Sequence, residues 1–251
     1  MQLLAQFLFR LAFGMALAMG ATSPRQVTSG YFRVHLYVVL GLCTLAAMVA
    51  LAVPEYSLWP PVAGAVLSYI GSVMWLYEKP AAGRTLLLLV AGVTLFGAWQ
   101  AQSASLGLPL AGQVLVWLDP LAGGLVLGTT MAAMLLGHWY LNTPTMHLAP
   151  LRRLLKLMAL AVLLRMVLSA VGLTLELTHG AEPLSTQLGL FIVLRWLAGL
   201  VTTLGLVWMT WQTLKIPNTQ SATGILYVCV ITTFLGELTA QLLSAELTYP
   251  I

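Results

Sequence analysis

Apolar residues run for about twenty positions at a time along this chain, broken by short polar gaps, and the pattern recurs eight times. A membrane-spanning helix needs about 20 mainly apolar residues. The runs at 3–20, 31–53, 59–77, 84–102, 120–141, 154–178, 187–211 and 224–246 therefore predict eight transmembrane helices. Local signals mark several boundaries. Asp119-Pro120 places an N-cap residue before proline at a first helical position and opens the fifth span, and Pro60-Pro61 opens the third in the same way. Lys79-Pro80 and Thr143-Pro144 fall where helices stop.

Composition agrees with the pattern. The chain is 60% hydrophobic and 7% charged, against roughly 25% charged residues in soluble domains. In water such a fold would expose more apolar surface than a monomer tolerates. The expected fold is an all-α integral membrane protein, a single polytopic domain over residues 1–251 with short loops. The first twenty residues have the hydropathy of a signal peptide, but Arg10 interrupts the apolar core and no basic region precedes it, so a retained first helix is expected. Cys43 and Cys229 both lie inside apolar runs, which argues against a disulfide framework and a CxxC metal site. No dense basic patch suggests nucleic acid.

Charge then sorts the gaps. The gaps after spans one, three, five and seven contain or border Arg25, Arg33, Lys79, Arg84, Arg152, Arg153, Lys156 and Lys215. The other gaps and both ends hold no Lys or Arg and carry Glu55, Asp119, Glu182 and Glu246 instead. By the positive-inside rule the basic loops face the cytoplasm and both termini the non-cytoplasmic side of a cell inner (cytoplasmic) membrane. The long, nearly uncharged gap 103–119 would lie along the outer interface. Trp59, Trp75, Tyr77, Trp99, Trp117, Trp139, Tyr140, Trp208 and Trp211 cluster near span borders as an aromatic belt.

Four charges remain inside the spans: Arg10, Arg165, Arg195 and Glu237. Each costs roughly 2.5–3.5 kcal/mol at the bilayer centre and needs a partner. The topology puts all four in one slab roughly 10 Å thick. Arg195 and Glu237 are expected to pair, because a short loop joins their spans, and Glu176 on the outer rim could serve a second arginine. The excess positive charge either fixes helix register or holds an anionic group, since a guanidinium fork suits carboxylate and phosphate. Asp119 reads as a helix cap.

His35 and His138 lie about four residues from the same cytoplasmic interface, on different spans. Two imidazoles at one depth are candidate axial ligands of a b-type haem iron, or hydrogen-bonding groups for a quinone. Gly124 and Gly128 form GxxxG, and Gly137 precedes His138, so another helix or a flat macrocycle could approach closely. The four widely spaced histidines of a dihaem cytochrome b are absent, as are HExxH and GxSxG. No catalytic activity of the chain alone is expected. The first functional reading is a membrane subunit of a multi-subunit electron-transfer complex of respiratory type, contacting quinone or one haem b through His35 and His138, with membrane lipids and other membrane subunits as partners. The alternatives are a transporter or channel for a small anionic or lipid-like substrate, with Arg10, Arg165 and Arg195 as its site, and a structural or assembly subunit without ligand.

Overall fold

The computed structural model describes residues 1–53, 56–102, 108–143, 146–179, 185–216 and 218–251. Among them the regular structure is all helical: α1 (Gln2–Ala21), α2 (Ser29–Ala52), α3 (Trp59–Leu76), α4 (Pro80–Gln100), α5 (Leu110–Asn142), α6 (Ala149–His179), α7 (Thr186–Thr213) and α8 (Thr219–Glu246). The chain is a multi-pass membrane bundle, and seven of these helices are long and apolar enough to cross a bilayer. The exception, α3, has 18 residues and opens on Trp59-Pro60-Pro61. Its prolines and hydroxyls dilute its hydropathy, but Ser68 and Ser72 return their protons to the Gly64 and Tyr69 carbonyls at 2.7 Å, as a hydroxyl in an apolar setting must.

The helices form two closed groups of four. In one, α1, α2, α3 and α4 pack in ring order, with α4 returning to α1; in the other, α5, α6, α7 and α8 do the same, with α8 returning to α5. The groups meet along α1 and α5. This placement explains α1, in which 14 of 20 residues are buried. A helix covered on nearly every side needs no amphipathic stripe and reads as uniformly apolar. Helices at the periphery expose their large apolar residues instead, among them Leu51, Leu88, Leu160 and Ile231. Lipid tails solvate such residues as well as a protein core does.

Backbone contact at the seam depends on glycine. A Cβ built on Gly14 of α1 would fall 1.7 Å from the Gly124 carbonyl oxygen, and one on Gly128 would fall 1.8 Å from the Gly14 carbonyl carbon. The GxxxG of α5 is therefore filled by α1. Gly137 is filled in turn by Thr223 of α8, whose Oγ1 lies 2.8 Å from the position of a Cβ.

Two sequence expectations change here. Helix α5 does not begin at Pro120: it begins at Leu110 and carries Pro120 inside it. The stretch expected as an interfacial gap is thus partly spanning helix, and its residues 103–107 lie outside the described residues, as do Glu55, Pro144 and Glu182. Proline has no N–H for the carbonyl four residues back, here Val116, so the helix continues at the loss of one internal hydrogen bond. Trp75 does not belong to the aromatic belt. It is buried, stacked on Phe32 at 4.0 Å and laid over Gly83. Trp59, Trp117 and Trp208 are half or more exposed, as belt residues are.

Candidate functional site: an ionic chain beneath a polar cavity

The intramembrane charges converge. Arg10 of α1 donates from Nη2 to Asp119 Oδ2 of α5 at 2.6 Å. Arg165 of α6 donates from Nη1 to the other oxygen of Asp119 at 2.5 Å. The same guanidinium grips Glu237 of α8 with two bonds, Nε to Oε1 at 3.1 Å and Nη2 to Oε2 at 3.2 Å. Arg195 of α7 completes the chain, Nη2 to Glu237 Oε1 at 2.8 Å. Arg10, Asp119, Arg165, Glu237 and Arg195 thus form an unbroken ionic chain through five helices, with no side chain more than 3% exposed.

Local sequence makes room for it. A Cβ on Gly123 would stand 2.6 Å from Glu237 Oε2 and 3.1 Å from Arg10 Nη1, so only glycine lets both groups lie against α5 one turn below Asp119. Gly199 and Gly236 meet backbone to backbone, with a built Cβ on Gly199 2.5 Å from the Gly236 Cα, and this contact draws α7 onto α8 beside Arg195 and Glu237. Arg195 begins a π-helical stretch, Arg195–Thr202, a local widening that is frequent at functional sites.

The expected pairing of Arg195 with Glu237 is present. Glu237 also serves Arg165, its oxygens facing both arginines together. Two other expectations are corrected. Glu176 holds no arginine; it accepts the backbone N–H of Tyr249 at 2.9 Å. Asp119 is no helix cap but the second carboxylate of the chain. The signal for it was charge balance, since three arginines with one in-span glutamate call for a further acid at the same depth. The apolar stretch Val114–Leu118 before it also continues the span upstream.

Balance remains incomplete. Three guanidinium groups face two carboxylates, a formal surplus of one positive charge in a dry interior, where uncompensated charge is costly. The surplus is shared by the two terminal arginines: Arg10 Nε and Nη1 and Arg195 Nε are buried with no partner, Arg10 Nη1 on the side of Gly123. Above Arg10 lies a cavity of about 280 Å³, at the bundle end where α1 begins and α8 ends. Gln6, Arg10, Val116, Asp119, Gln241 and Ser244 are among its walls. Both amide atoms of Gln241 and the Ser244 hydroxyl are also buried without partners. The segment after α8 closes one side through Leu247, Thr248 and Pro250, and is held by Tyr249 on Glu176 and by the approach of Pro250 to Gly172.

The histidines turn to separate neighbours. His35 is buried, its Nδ1 2.6 Å from the Tyr31 carbonyl oxygen and its ring against Tyr31 and Trp139. Trp139 is fixed there by an indole N–H bond to Thr28 Oγ1 at 2.9 Å. His138 is exposed and faces Tyr227, whose hydroxyl is 3.3 Å from its Nδ1. Of the two occupants the sequence allowed at Gly124, Gly128 and Gly137, another helix is the one present: α1 lies against the first two and Thr223 of α8 against the third. Compared with known proteins, the chain matches no family model, and it is similar to no curated protein and no solved structure.

Proposed function

We propose that this protein is a membrane carrier for a small organic anion, which it binds at Arg10 in the polar cavity. One observation carries the reading: a buried ionic chain with a surplus positive charge ends at an arginine that has unpartnered N–H groups and lines a cavity. Orphaned buried donors are rare in folded proteins and call for a water, an ion or a ligand. A guanidinium presents its N–H groups in the fork that a carboxylate matches. By the positive-inside rule, the basic residues at the opposite bundle end support a cavity that opens to the non-cytoplasmic side. An anion arriving from there meets Arg10 first, where it competes with Asp119 for the same guanidinium. The ionic chain below forms the barrier to onward passage, and loosening the Arg10–Asp119 link is the way occupancy reaches the rest of the bundle.

The test is uptake of labelled propionate, glycerate and phosphate into proteoliposomes, beside the thermal stability of the purified protein with each salt at fixed ionic strength. At least one anion is expected to raise the denaturation midpoint and to be taken up. The Arg10→Gln variant, if it folds, loses both effects. A native protein stabilised by none of the three and moving none of them overturns the reading.

The electron-transfer reading retains one observation. The Tyr31 carbonyl can only accept, so His35 carries its proton on Nδ1 and leaves Nε2 as a free acceptor. That tautomer suits an imidazole that ligates a metal through Nε2 or accepts the hydroxyl proton of a quinol. On this reading the natively purified protein shows a b-type difference spectrum lost in His35→Ala and His138→Ala, or releases quinone on extraction. A flat spectrum and a quinone-free extract would sink it.

A further inference from the structure

We infer that the ligand of the polar cavity is a short hydroxylated carboxylic acid, recognised by its carboxylate at Arg10 and by its hydroxyl groups at Gln241 and Ser244. This rests on the anion reading and narrows it. Gln241 and Ser244 are three residues apart on α8 and so share one face of that helix. Gln241 is 2% exposed, yet neither its Oε1 nor its Nε2 has a partner; the Ser244 Oγ lacks one too. Leaving such groups buried and unsatisfied is costly, so a ligand that satisfies them gains against one that does not.

The pattern of donors and acceptors selects the ligand. A glutamine amide offers one acceptor and two donors, and a serine hydroxyl both donates and accepts. The complementary group must also do both, as a hydroxyl does. A second charge is disfavoured, because among the described residues of these walls the only cation is Arg10, and Asp119 beside it already carries a negative charge. A methyl or methylene in place of the hydroxyl would leave the α8 groups unsatisfied. The volume of about 280 Å³ falls just below the usual range of ligand sites, which favours a small molecule.

D-Glycerate and propionate make the decisive pair of probes, with equal charge and the same three-carbon acid frame, differing by two hydroxyls. Calorimetric titration of the intact purified protein is expected to show glycerate binding at least about tenfold tighter, the factor one added hydrogen bond supplies. Gln241→Leu and Ser244→Ala are each expected to shrink that preference toward equality. Equal binding of glycerate and propionate by the native protein overturns the hydroxyl assignment and leaves the anion reading standing. Binding of neither, nor of phosphate, removes the anion reading itself. Because the first comparison uses only the native chain, a variant that fails to fold does not blunt it.

Discussion

Replacing Glu237 by glutamine is expected to lower the thermal stability of the purified protein by roughly 10 °C or more, and with it the yield of folded material. Glu237 holds Arg165 through two bonds and Arg195 through a third. Glutamine keeps the shape and one carbonyl acceptor but removes the charge, so the ionic chain goes from a surplus of one positive charge to a surplus of two. Breaking a buried ionic contact from one side typically costs 3–5 kcal/mol, because the remaining charge stays buried without compensation. In a chain of this length about 1 kcal/mol moves the midpoint by roughly 2–4 °C. The cause is separable from a packing defect. Combining Glu237→Gln with Arg195→Met returns the surplus to one positive charge, and Arg195 lies at the end of the chain, so the double variant is expected to be more stable than Glu237→Gln alone. If charge is not the reason, the second substitution adds its own loss. Thermal denaturation of the three proteins in one detergent decides between these outcomes, and a Glu237→Gln protein as stable as the native one would dismiss the ionic chain as a structural element.

The helices were legible in the sequence because a bilayer imposes length and apolarity on each one separately. Their ends were less so: α4, α5, α6 and α8 all begin earlier than the apolar runs suggest, since the first turns of Pro80, Leu110, Ala149 and Thr219 take polar or small residues without ceasing to be helical. The pairing of Arg195 with Glu237 was readable from a short connection. The role of Asp119 was not, because Asp-Pro is a strong helix-opening signal and the proline tolerated inside α5 obeys a different rule, that a membrane helix can lose a hydrogen bond when neighbours supply its surroundings. Gln241 and Ser244 drew no notice at all. Nothing along a sequence marks a polar residue as unpartnered; only the packing of α8 against α1 and α5 shows it. His35 and His138 were read as level with each other from their positions in the spans, but position along a helix does not fix azimuth, and in the structure the His35 ring lies against Trp139 and the His138 ring against Tyr227.

The seam between α1 and α5 leads to the second large effect. Gly14→Ala is expected to abolish most folded protein, although alanine is the better helix former by about 1 kcal/mol. The added methyl would sit 1.7 Å from the Gly124 carbonyl oxygen and 2.9 Å from the Gly128 Cα. Both neighbours are backbone in the middle of a long helix, so no side chain can swing aside, and α1 must move away from α5 as a body. Overpacking usually costs 1–3 kcal/mol where side chains can yield; here about 3 kcal/mol or more is expected. The displacement also acts at a distance. Arg10 is one turn from Gly14 on the same face of α1, so a shift of about 1 Å at the glycine stretches the 2.6 Å bond to Asp119 and opens the ionic chain at its cavity end. Gly41→Ala in α2 and Gly92→Ala in α4 are the matched controls, since a Cβ at either position meets nothing within 4 Å. Both are expected to leave the denaturation midpoint unchanged or slightly raised. Size-exclusion profiles and melting curves of the three variants, prepared side by side, separate contact from propensity: a Gly14→Ala protein that behaves like the two controls would mean that α1 and α5 do not touch as described, and the Arg10–Asp119 contact would fall with them.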